Sequence, residues 1–417
     1  MTTQVWHLRQ SHTRIIWTCL AFWLLLNLLF TEKARSQSFG GDMKNTASSL
    51  EPHSGERIAT DRSIGSIEPV FRFFDAMPTG ITVAQDGRIF INFPRWGDDV
   101  PFTVGVVQDG KVVAYPDQTM NTFDPTRPAE TLASVQSVVV DPANRLWILD
   151  TAAPKFSTPL AGAAKLVGVD LATNKVVKSI VLPPTTVLPT TYLNDVRFDL
   201  REGKGGIAYI TDSSANGPGG IIVVDLETGE SWRKLSGHKS TTADLSFVPI
   251  VEGDRLAMRE KGKSPVAMTI ASDGIAISSD GRTLYYCPLS SRHLYSVPTK
   301  LLLNRSGSEQ EIAASVVDLG EKGASDGLES DDKGRIYAGD FEHNSIRQMQ
   351  TNGEWKTIVH DPRVLWPDTL SVAADGYLYF TANQFERQPQ FNEGRDLREK
   401  PYMLFRVKID AGPVLLK

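Results

Sequence analysis

The stretch "ASDGIAISSDGR" (Ala271–Arg282) and the stretch "ASDGLESDDKGR" (Ala324–Arg335) share their first four and last two residues. Each contains a short alternating apolar segment and a turn with Gly, and a second segment rich in apolar and aromatic residues follows. Alternation is typical of a half-buried strand, and Asp-Gly supplies the positive φ that a tight hairpin turn requires. The repeated stretch therefore predicts two β-hairpins of one design.

The same pattern occurs four more times along the chain. The six copies begin at Thr79, Gln136, Asn194, Asp273, Asp326 and Asp368. Further strand pairs lie between the copies, for example "KLVGVDLATNKVVKSIVLP" and "GIIVVDLETGESWRKL". Six units of about four antiparallel strands, spaced by about 40 to 80 residues, predict an all-β fold, a six-bladed β-propeller. A lone blade cannot cover both of its faces, so we expect the blades to stack into a closed ring.

Composition and charge indicate a globular protein that does not bind nucleic acid. The chain has 417 residues, of which 41% are hydrophobic and 22% charged, as in proteins with a substantial core. The net charge is −5, and acidic and basic residues are interspersed. No basic tract is present to neutralise phosphates, so nucleic acid is not an expected partner.

The N-terminal segment predicts export. Basic residues precede the apolar run "IIWTCLAFWLLLNLLF" (Ile15–Phe30), and small residues follow it. These features are typical of a secretory signal peptide over residues 1–36. The alternative is a retained membrane anchor, although the run is shorter than the about 20 residues of a transmembrane helix. Residues 37–68 predict a flexible linker and residues 69–417 the propeller. We expect a secreted protein, extracellular or periplasmic, that does not contact the membrane after cleavage.

The residues that enter the six inner strands predict a polar ring at one mouth of the central channel. In a propeller the innermost strand of each blade lines the channel, so the residues just before these strands face one another. The candidate ring comprises Thr79, Gln136, Asn194, Asp195, Asp273, Asp326 and Asp368. An Asp occupies this position in four of the six blades.

Several carboxylates that converge on one axis repel one another unless a cation lies between them. Ca²⁺ takes six to eight oxygen ligands, so Asn194, Asp195, Asp273 and Asp326 are candidate ligands of a divalent cation, with calcium as the favoured ion. An organic cation would also neutralise the ring. The alternative is that each Asp caps a turn by bonding its own backbone, as Asp often does before Gly.

The ends of the second strands predict a further ring at the same mouth. It comprises Phe93 to Trp96, Asp150, Asp212, Asp340, Phe341 and Asn383. Aromatic and polar residues together suit a ligand with an apolar ring and a charged or hydroxylated tip, so Phe93 and Phe341 are candidate ligand contacts. The alternative is that these aromatic residues pack between blades. His343 follows the strand end "GDFEH" and is a candidate channel residue.

A series of motifs runs in order from Phe71 to Val407. It includes "PTGITVAQDGRIFINFPRW", "RLWILDT", "TYLNDVRFD", "AYITDSSANGPGGIIVVDLETGESWRKLSGHKST" and "DGIAISSDGRTLYYCPLSSRHLYSV". In these motifs the chain resembles the yellow and major royal jelly protein family. The resemblance implies a secreted six-bladed propeller.

The functions that this resemblance implies concern small aromatic molecules. Insect members are tied to melanin chemistry, and some are reported to convert dopachrome. Salivary members bind biogenic amines in the channel, royal jelly members are nutritive and sterol-binding, and bacterial relatives are described only as related to dopachrome tautomerase. The family has no agreed catalytic motif, so no catalytic residue is carried over. This chain also lacks the paired cysteines of the insect members, because Cys19 and Cys287 are its only cysteines.

Three functional hypotheses follow. In the first, the channel binds a small aromatic or amine-like, dopachrome-related molecule. In the second, the protein is an isomerase in which Asp195, Asp326 or His343 removes a proton next to a carbonyl, which requires a carboxylate with a raised pKa. In the third, it is a lactonase that resembles the gluconolactonase group, where a divalent metal polarises a lactone carbonyl. That group places a Glu where this chain has Thr79.

Overall fold

A computed structural model describes residues 61–417, and strand β1 (Ile67–Phe73) is the first strand in it. The first blade contains β2 (Ile81–Val83), β3 (Ile89–Asn92), β4 (Val104–Gln108) and β5 (Lys111–Ala114). The second blade contains β6 (Val135–Val140), β7 (Arg145–Asp150), β8 (Lys165–Asp170) and β9 (Lys175–Val181). The third blade contains β10 (Leu193–Asp199), β11 (Ile207–Asp212), β12 (Gly220–Asp225) and β13 (Ser231–Lys234).

A small hairpin, β14 (Ile250–Val251) and β15 (Asp254–Arg255), lies between the third and fourth blades. The fourth blade contains β16 (Ser272–Ile277), β17 (Thr283–Pro288), β18 (His293–Pro298) and β19 (Val317–Glu321). The fifth blade contains β20 (Leu328–Ser330), β21 (Ile336–Asp340), β22 (Ser345–Met349) and β23 (Trp355–His360). The sixth blade contains β24 (Pro367–Val372), β25 (Tyr377–Ala382) and β26 (Tyr402–Lys408), with β1 as its outer strand.

Helices are short and lie in the connections. They are α1 (Gln118–Asn121), α2 (Thr299–Leu303) and α3 (Glu309–Ser315), together with 3₁₀ turns at Pro154–Phe156, Phe385–Arg387 and Pro389–Phe391. Across residues 61–417, no helix has the length and apolar character needed to cross a membrane. The expected six-bladed propeller is confirmed, and each repeated sequence pattern forms the inner hairpin of one blade.

The ring is closed by pairing the two ends of the described chain. β1 pairs antiparallel with β26, from Ile67 opposite Val407 to Phe73 opposite Tyr402. The backbone of Ile64 also bonds His360. The end of the segment expected to be a linker therefore joins the propeller, because its strand covers the free edge of β26. The rest of that linker and the expected signal peptide lie outside the described residues.

The Asp-Gly pairs that begin at Asp273 and Asp326 have a packing role, whereas Gly281 and Gly334 have the positive φ expected of the hairpin turns. Asp273 and Gly274 lie within β16, and a Cβ at Gly274 would stand 2.4 Å from the carbonyl oxygen of Asp326. A Cβ at Gly327 would likewise stand 2.4 Å from the carbonyl oxygen of Asp368, which accepts a 2.9 Å hydrogen bond from the Gly327 amide. Glycine is needed because the inner strands of neighbouring blades approach this closely. The same approach brings the three Asp residues together.

Candidate functional site

A cavity of about 230 Å³ opens at the mouth of the channel where the chain enters the inner strands. Of the residues expected in the polar ring, the cavity brings together Gln136, Asn194, Asp273, Asp326 and Asp368. Aromatic residues complete the lining, namely Trp96, Phe156, Tyr192 and Phe385. No Lys, Arg or His lines this cavity within residues 61–417.

Two members of the expected ring lie apart from the cavity. Thr79 is buried, where its hydroxyl accepts a 2.8 Å hydrogen bond from Asn92. The carboxylate of Asp195 lies 3.1 Å from the guanidinium of Arg197 and accepts a 2.7 Å bond from Ser137. Both residues are therefore occupied by contacts within the protein.

Three further candidates also lie outside the cavity lining. The side chain of His343 is 71% exposed, and its Nδ1 lies 3.0 Å from an Asp340 oxygen. Phe93 packs in the core against Phe73, with ring centroids 6.0 Å apart. Phe341 is buried and stacks on Trp366, so it supports the wall of the cavity from behind.

The three carboxyl groups of the cavity receive different hydrogen bonds. The indole N–H of Trp366 donates to Asp326 Oδ2 at 2.7 Å. Asp368 accepts a 2.6 Å bond from the Asn383 amide and a 3.2 Å bond from the Thr369 hydroxyl. The carboxyl group of Asp273 lies close enough to that of Asp326 for each to change the pKa of the other.

Burial and crowding favour the protonated forms of these acids. Burial, and then the charge of Asp326, raise the pKa of Asp273 well above its usual range. The same two causes raise the pKa of Asp368 well above its usual range. Burial also raises the pKa of Asp326, although the hydrogen bonds from Asp273 and Trp366 oppose the rise. The cavity thus holds acids that exchange protons at higher pH than a free Asp does.

A series of aromatic rings runs along one side of the cavity, and the sequence patterns did not identify most of it. Phe385, Trp96 and Phe156 line the cavity, and Trp366 and Phe341 continue the series outside the lining. Successive ring centroids are 4.0 Å apart for Phe341 and Trp366, 4.8 Å for Trp366 and Phe385, 5.7 Å for Phe385 and Trp96, and 4.8 Å for Trp96 and Phe156. These residues come from loops that follow second strands or precede inner strands. A shared position at this edge of the propeller is the sequence signal that could have identified them.

Four of the 13 non-glycine residues with positive φ in the described part of the chain lie in this aromatic series or next to it. Lys155, Phe156, Trp366 and Gln384 have φ values of 55°, 55°, 53° and 61°. A non-glycine residue in this region costs on the order of 1–3 kcal/mol and persists where surrounding structure holds it. Such outliers cluster at functional sites, which supports a functional role for this mouth of the channel.

The acids at the ends of the second strands hold the loops that shape the cavity. Asp150 contacts the buried Lys165 at 2.8 Å and accepts hydrogen bonds from the amides of Ala133 and Ser134. Asp212 contacts Arg233 at 2.8 Å and accepts a bond from the amide of Tyr192. These acids have a structural role because cations and backbone N–H groups satisfy them.

The other end of the channel is closed by charge pairs and by the C-terminal segment. Arg197 bonds Asp195 and the carbonyl oxygen of Leu328, and it lies 3.6 Å from Glu329. Residues 413–415 line a smaller cavity of about 80 Å³ at this end.

The cavity offers some of the oxygen donors that a divalent cation needs. Asp273, Asp326 and Asp368 are its acidic donors, but Asp195, expected among the ligands, is paired with Arg197. Asp326 Oδ2 is already bonded to Trp366. Within residues 61–417, no group of three or more His, Cys, Asp or Glu side chains has a metal-binding arrangement. The calcium site stays a prediction.

Comparison of folds shows known propellers with low sequence identity. A proposed gluconolactonase matches with a TM-score of 0.51 and 11% identity, over 84% of this chain and 94% of that one. A luciferin-regenerating enzyme matches with a TM-score of 0.50 and 12% identity, over 85% of this chain and 99% of that one. At these identities the likeness shows the fold alone.

Comparison of sequences gives a closer relation. "Protein yellow" of Drosophila madeirensis is 28% identical over 249 residues, which cover 56% of this chain and 41% of that protein. The chain thus spans about two fifths of the length of the curated relatives that it matches. The family model described as "Major royal jelly protein" matches residues 133–413. Because this match covers most of the chain, the protein belongs to the yellow and major royal jelly protein family.

Proposed function

We propose that the mouth cavity binds a small aromatic molecule that carries a protonated amine. This proposal rests on the cavity lining, which has the buried carboxyl groups of Asp273 and Asp368, the partly buried one of Asp326, several aromatic rings and, among the residues described, no cationic side chain. A protein cation beside the acids would have made them a structural cluster, as at Asp195. The dopachrome-related chemistry of the family supports an aromatic ligand.

The two kinds of wall would hold the two ends of such a molecule. The ammonium group would contact Asp368 and Asp326 through charge-assisted hydrogen bonds, which are stronger than neutral ones. The aromatic ring would pack against Trp96 and Phe385, and aromatic faces also attract cations. A ligand with only one of these features would lose one set of contacts.

Titration calorimetry with tyramine and 4-ethylphenol tests this proposal, because the two probes differ in the amine. We expect tyramine to bind at least about tenfold more tightly than 4-ethylphenol, since a charge-assisted bond contributes about 1.5–3 kcal/mol. The variant Asp368→Asn should lose most of this preference. The control Asp375→Asn changes an Asp with 42% side-chain exposure outside the cavity and should bind like the wild type. Equal affinity for both probes, or no binding of either, would contradict the proposal.

Isomerisation of a dopachrome-like molecule is a second candidate, favoured by the neighbouring carboxyl groups of Asp273 and Asp326 in the cavity lining. In such a step one carboxylate takes a proton from the carbon next to a carbonyl, and the neighbouring acid gives a proton to the oxygen. The product is an isomer, with no other reactant. Of the bases expected from the sequence, only Asp326 lines the cavity, because Asp195 pairs with Arg197 and His343 lies outside.

Loss of dopachrome absorbance measures this activity directly. We expect Asp326→Asn to reduce any rate above background by about 10²-fold or more, as for removal of a general base. His343→Ala should leave the rate unchanged. A rate that is the same in Asp326→Asn and the wild type would exclude Asp326 as the base.

Lactone hydrolysis is the remaining alternative, and it depends on a bound divalent cation. Thr79 takes the place of the Glu in the gluconolactonase pattern, and its hydroxyl is bonded to Asn92. Elemental analysis of the purified protein, together with a pH-stat assay on lactones, tests this alternative. A protein without metal that hydrolyses no lactone would exclude it.

We propose that the protein acts outside the cytoplasm, on the basis of the apolar run Ile15–Phe30 and the small residues after it. N-terminal sequencing of the protein recovered from the extracellular or periplasmic fraction tests this. A new N-terminus near residue 37 is expected. Recovery in the membrane fraction with the segment retained would indicate an anchor instead.

A further inference from the structure

Phe156 rests on a pair of aromatic residues that are held in place without it. The indole N–H of Trp96 donates to the Tyr192 hydroxyl at 2.7 Å, and that hydroxyl donates to Gln136 Oε1 at 3.0 Å. Trp96 also packs against Phe385. These contacts fix the rings of Trp96 and Tyr192 as a platform inside the cavity.

The ring of Phe156 lies on this platform. Its centroid is 4.8 Å from that of Trp96 at an interplanar angle of 23°, and 5.3 Å from that of Tyr192 at 33°. Yet Phe156 is 50% exposed, and no core cluster of the described residues includes it. Its packing therefore contributes to the platform alone and not to the interior of a blade.

The loop that contains Phe156 has a strained backbone, and one backbone hydrogen bond joins its two ends. Lys155 and Phe156 both have left-handed φ values of 55°, which are unfavourable for side chains of this size. The amide of Leu160 bonds the carbonyl of Ala152 at 2.8 Å, so the strained residues lie in a short loop beyond this bond. Only the amide of Lys155, bonded to the carbonyl of Arg95, ties these two residues to another loop through the backbone.

We infer that Phe156 occupies the aromatic subsite of the cavity and is displaced by the ring of the ligand. The inference rests on the proposed function and names the subsite, the platform of Trp96 and Tyr192. Stacked and tilted ring pairs are favourable at these distances, so a ligand ring can take the place of Phe156. Release of the left-handed backbone offsets part of the contact that Phe156 loses. Phe156 thereby affects which rings the cavity prefers, because a ligand ring must compete with its phenyl group for the platform.

Two variants are expected to change affinity in opposite directions. Phe156→Ala removes the competing ring and should raise the affinity for tryptamine by about tenfold. Lys155→Asn keeps Phe156 but places at this position a residue that tolerates left-handed φ. It should stabilise the loop conformation in which Phe156 lies on the platform, and so lower the affinity for tryptamine by about threefold. Phe74→Ala truncates another exposed Phe outside the cavity and should have no effect.

Two measurements test whether a ligand ring displaces Phe156: calorimetry with tryptamine, and amide hydrogen exchange of the ligand-free protein. In the absence of ligand, we expect the amides of Lys155 and Phe156 to exchange faster than those of β7, and Lys155→Asn to slow them. Lower affinity in Phe156→Ala would show that Phe156 is a fixed wall and would overturn the inference. Exchange as slow as in β7 would overturn it as well. Because exchange needs no ligand, a failure of the proposed amine binding can be told apart from a failure of this inference.

Discussion

The two ends of the central channel are built from the same inner strands but differ in whether their acidic side chains pair with a cation. At the closed end, Asp195 and Glu329 face the guanidinium of Arg197. At the open end, Asp273, Asp326 and Asp368 face one another and form no ion pair among the described residues, and burial raises the pKa of each, as it also does for Glu329. Asn194 and Asp195 are adjacent in sequence, yet Asn194 lines the cavity while Asp195 belongs to the ion pairs. Under the proposed function, the acids that pair with a cation stabilise the fold, and the acids without such a pair bind the ligand.

The largest expected effect comes from removing the compensating charge at the closed end. Arg197→Met would leave Asp195 and Glu329 buried without a cation, and breaking a buried pair in this way costs about 3–5 kcal/mol. Urea unfolding measures the loss. The control Arg363→Met removes an arginine with 59% side-chain exposure and should cost less than about 1 kcal/mol. Similar losses in the two variants would show that the pairs at the closed end do not stabilise the fold.

Matched substitutions at the two ends should change stability in opposite directions. Asp195→Asn removes a charge partner of Arg197 and is expected to cost about 2–4 kcal/mol. Asp273→Asn removes a charge from a crowded group and is expected to stabilise the protein by about 1 kcal/mol at pH 8. Because the pKa of Asp273 is raised on folding, this gain should disappear below the usual pKa of Asp. Thermal melts at pH 4 and pH 8 test both signs. Destabilisation by Asp273→Asn at pH 8 would show that the acids at both ends of the channel stabilise the fold, which contradicts the account.

Glu386 is a buried acid outside the channel, and it can be compared with the acids of the open end. Neither of its carboxyl oxygens has a hydrogen-bond partner in the described part of the chain, and burial raises its pKa to about 8. The folded protein then binds the proton more tightly than the unfolded chain does, so stability falls as the pH rises from about 4.5 to 8 and higher. Glu386→Gln should remove about 1 kcal/mol of the loss between pH 7 and pH 9. Urea unfolding at both pH values tests this, and parallel losses in wild type and variant would contradict it.

The sequence predicted the part of the site that repeats and missed the part that does not. Asp273, Asp326 and Asp368 share one position in three blades, so their convergence followed from the propeller alone. Asp195 and Arg197 are two residues apart in β10, so strand alternation places them on one face, but this pairing was not predicted. Phe156 follows the second strand of its blade, as Trp96 and Phe385 do, but it lies six residues beyond the end of β7, outside the positions that the repeat compares.

The outer strand of the sixth blade, β1, is a second feature that could not be predicted from the sequence. β1 lies beside a polar segment, and its pairing with β26 joins residues at opposite ends of the described chain. No local pattern indicates such a pairing. The inner hairpins, in contrast, form from neighbouring residues with turn signals between them, and all six were predicted.

The number of protons released when tyramine binds tests the central claim most directly. Calorimetry at pH 7 in two buffers with different heats of ionisation gives this number. Because the acids of the cavity have raised pKa values, an ammonium group that binds beside them should displace protons. We therefore predict proton release in the wild type and less release in Asp273→Asn. Binding without proton exchange, or no binding at all, would contradict the claim that the uncompensated acids of the open end bind the ligand.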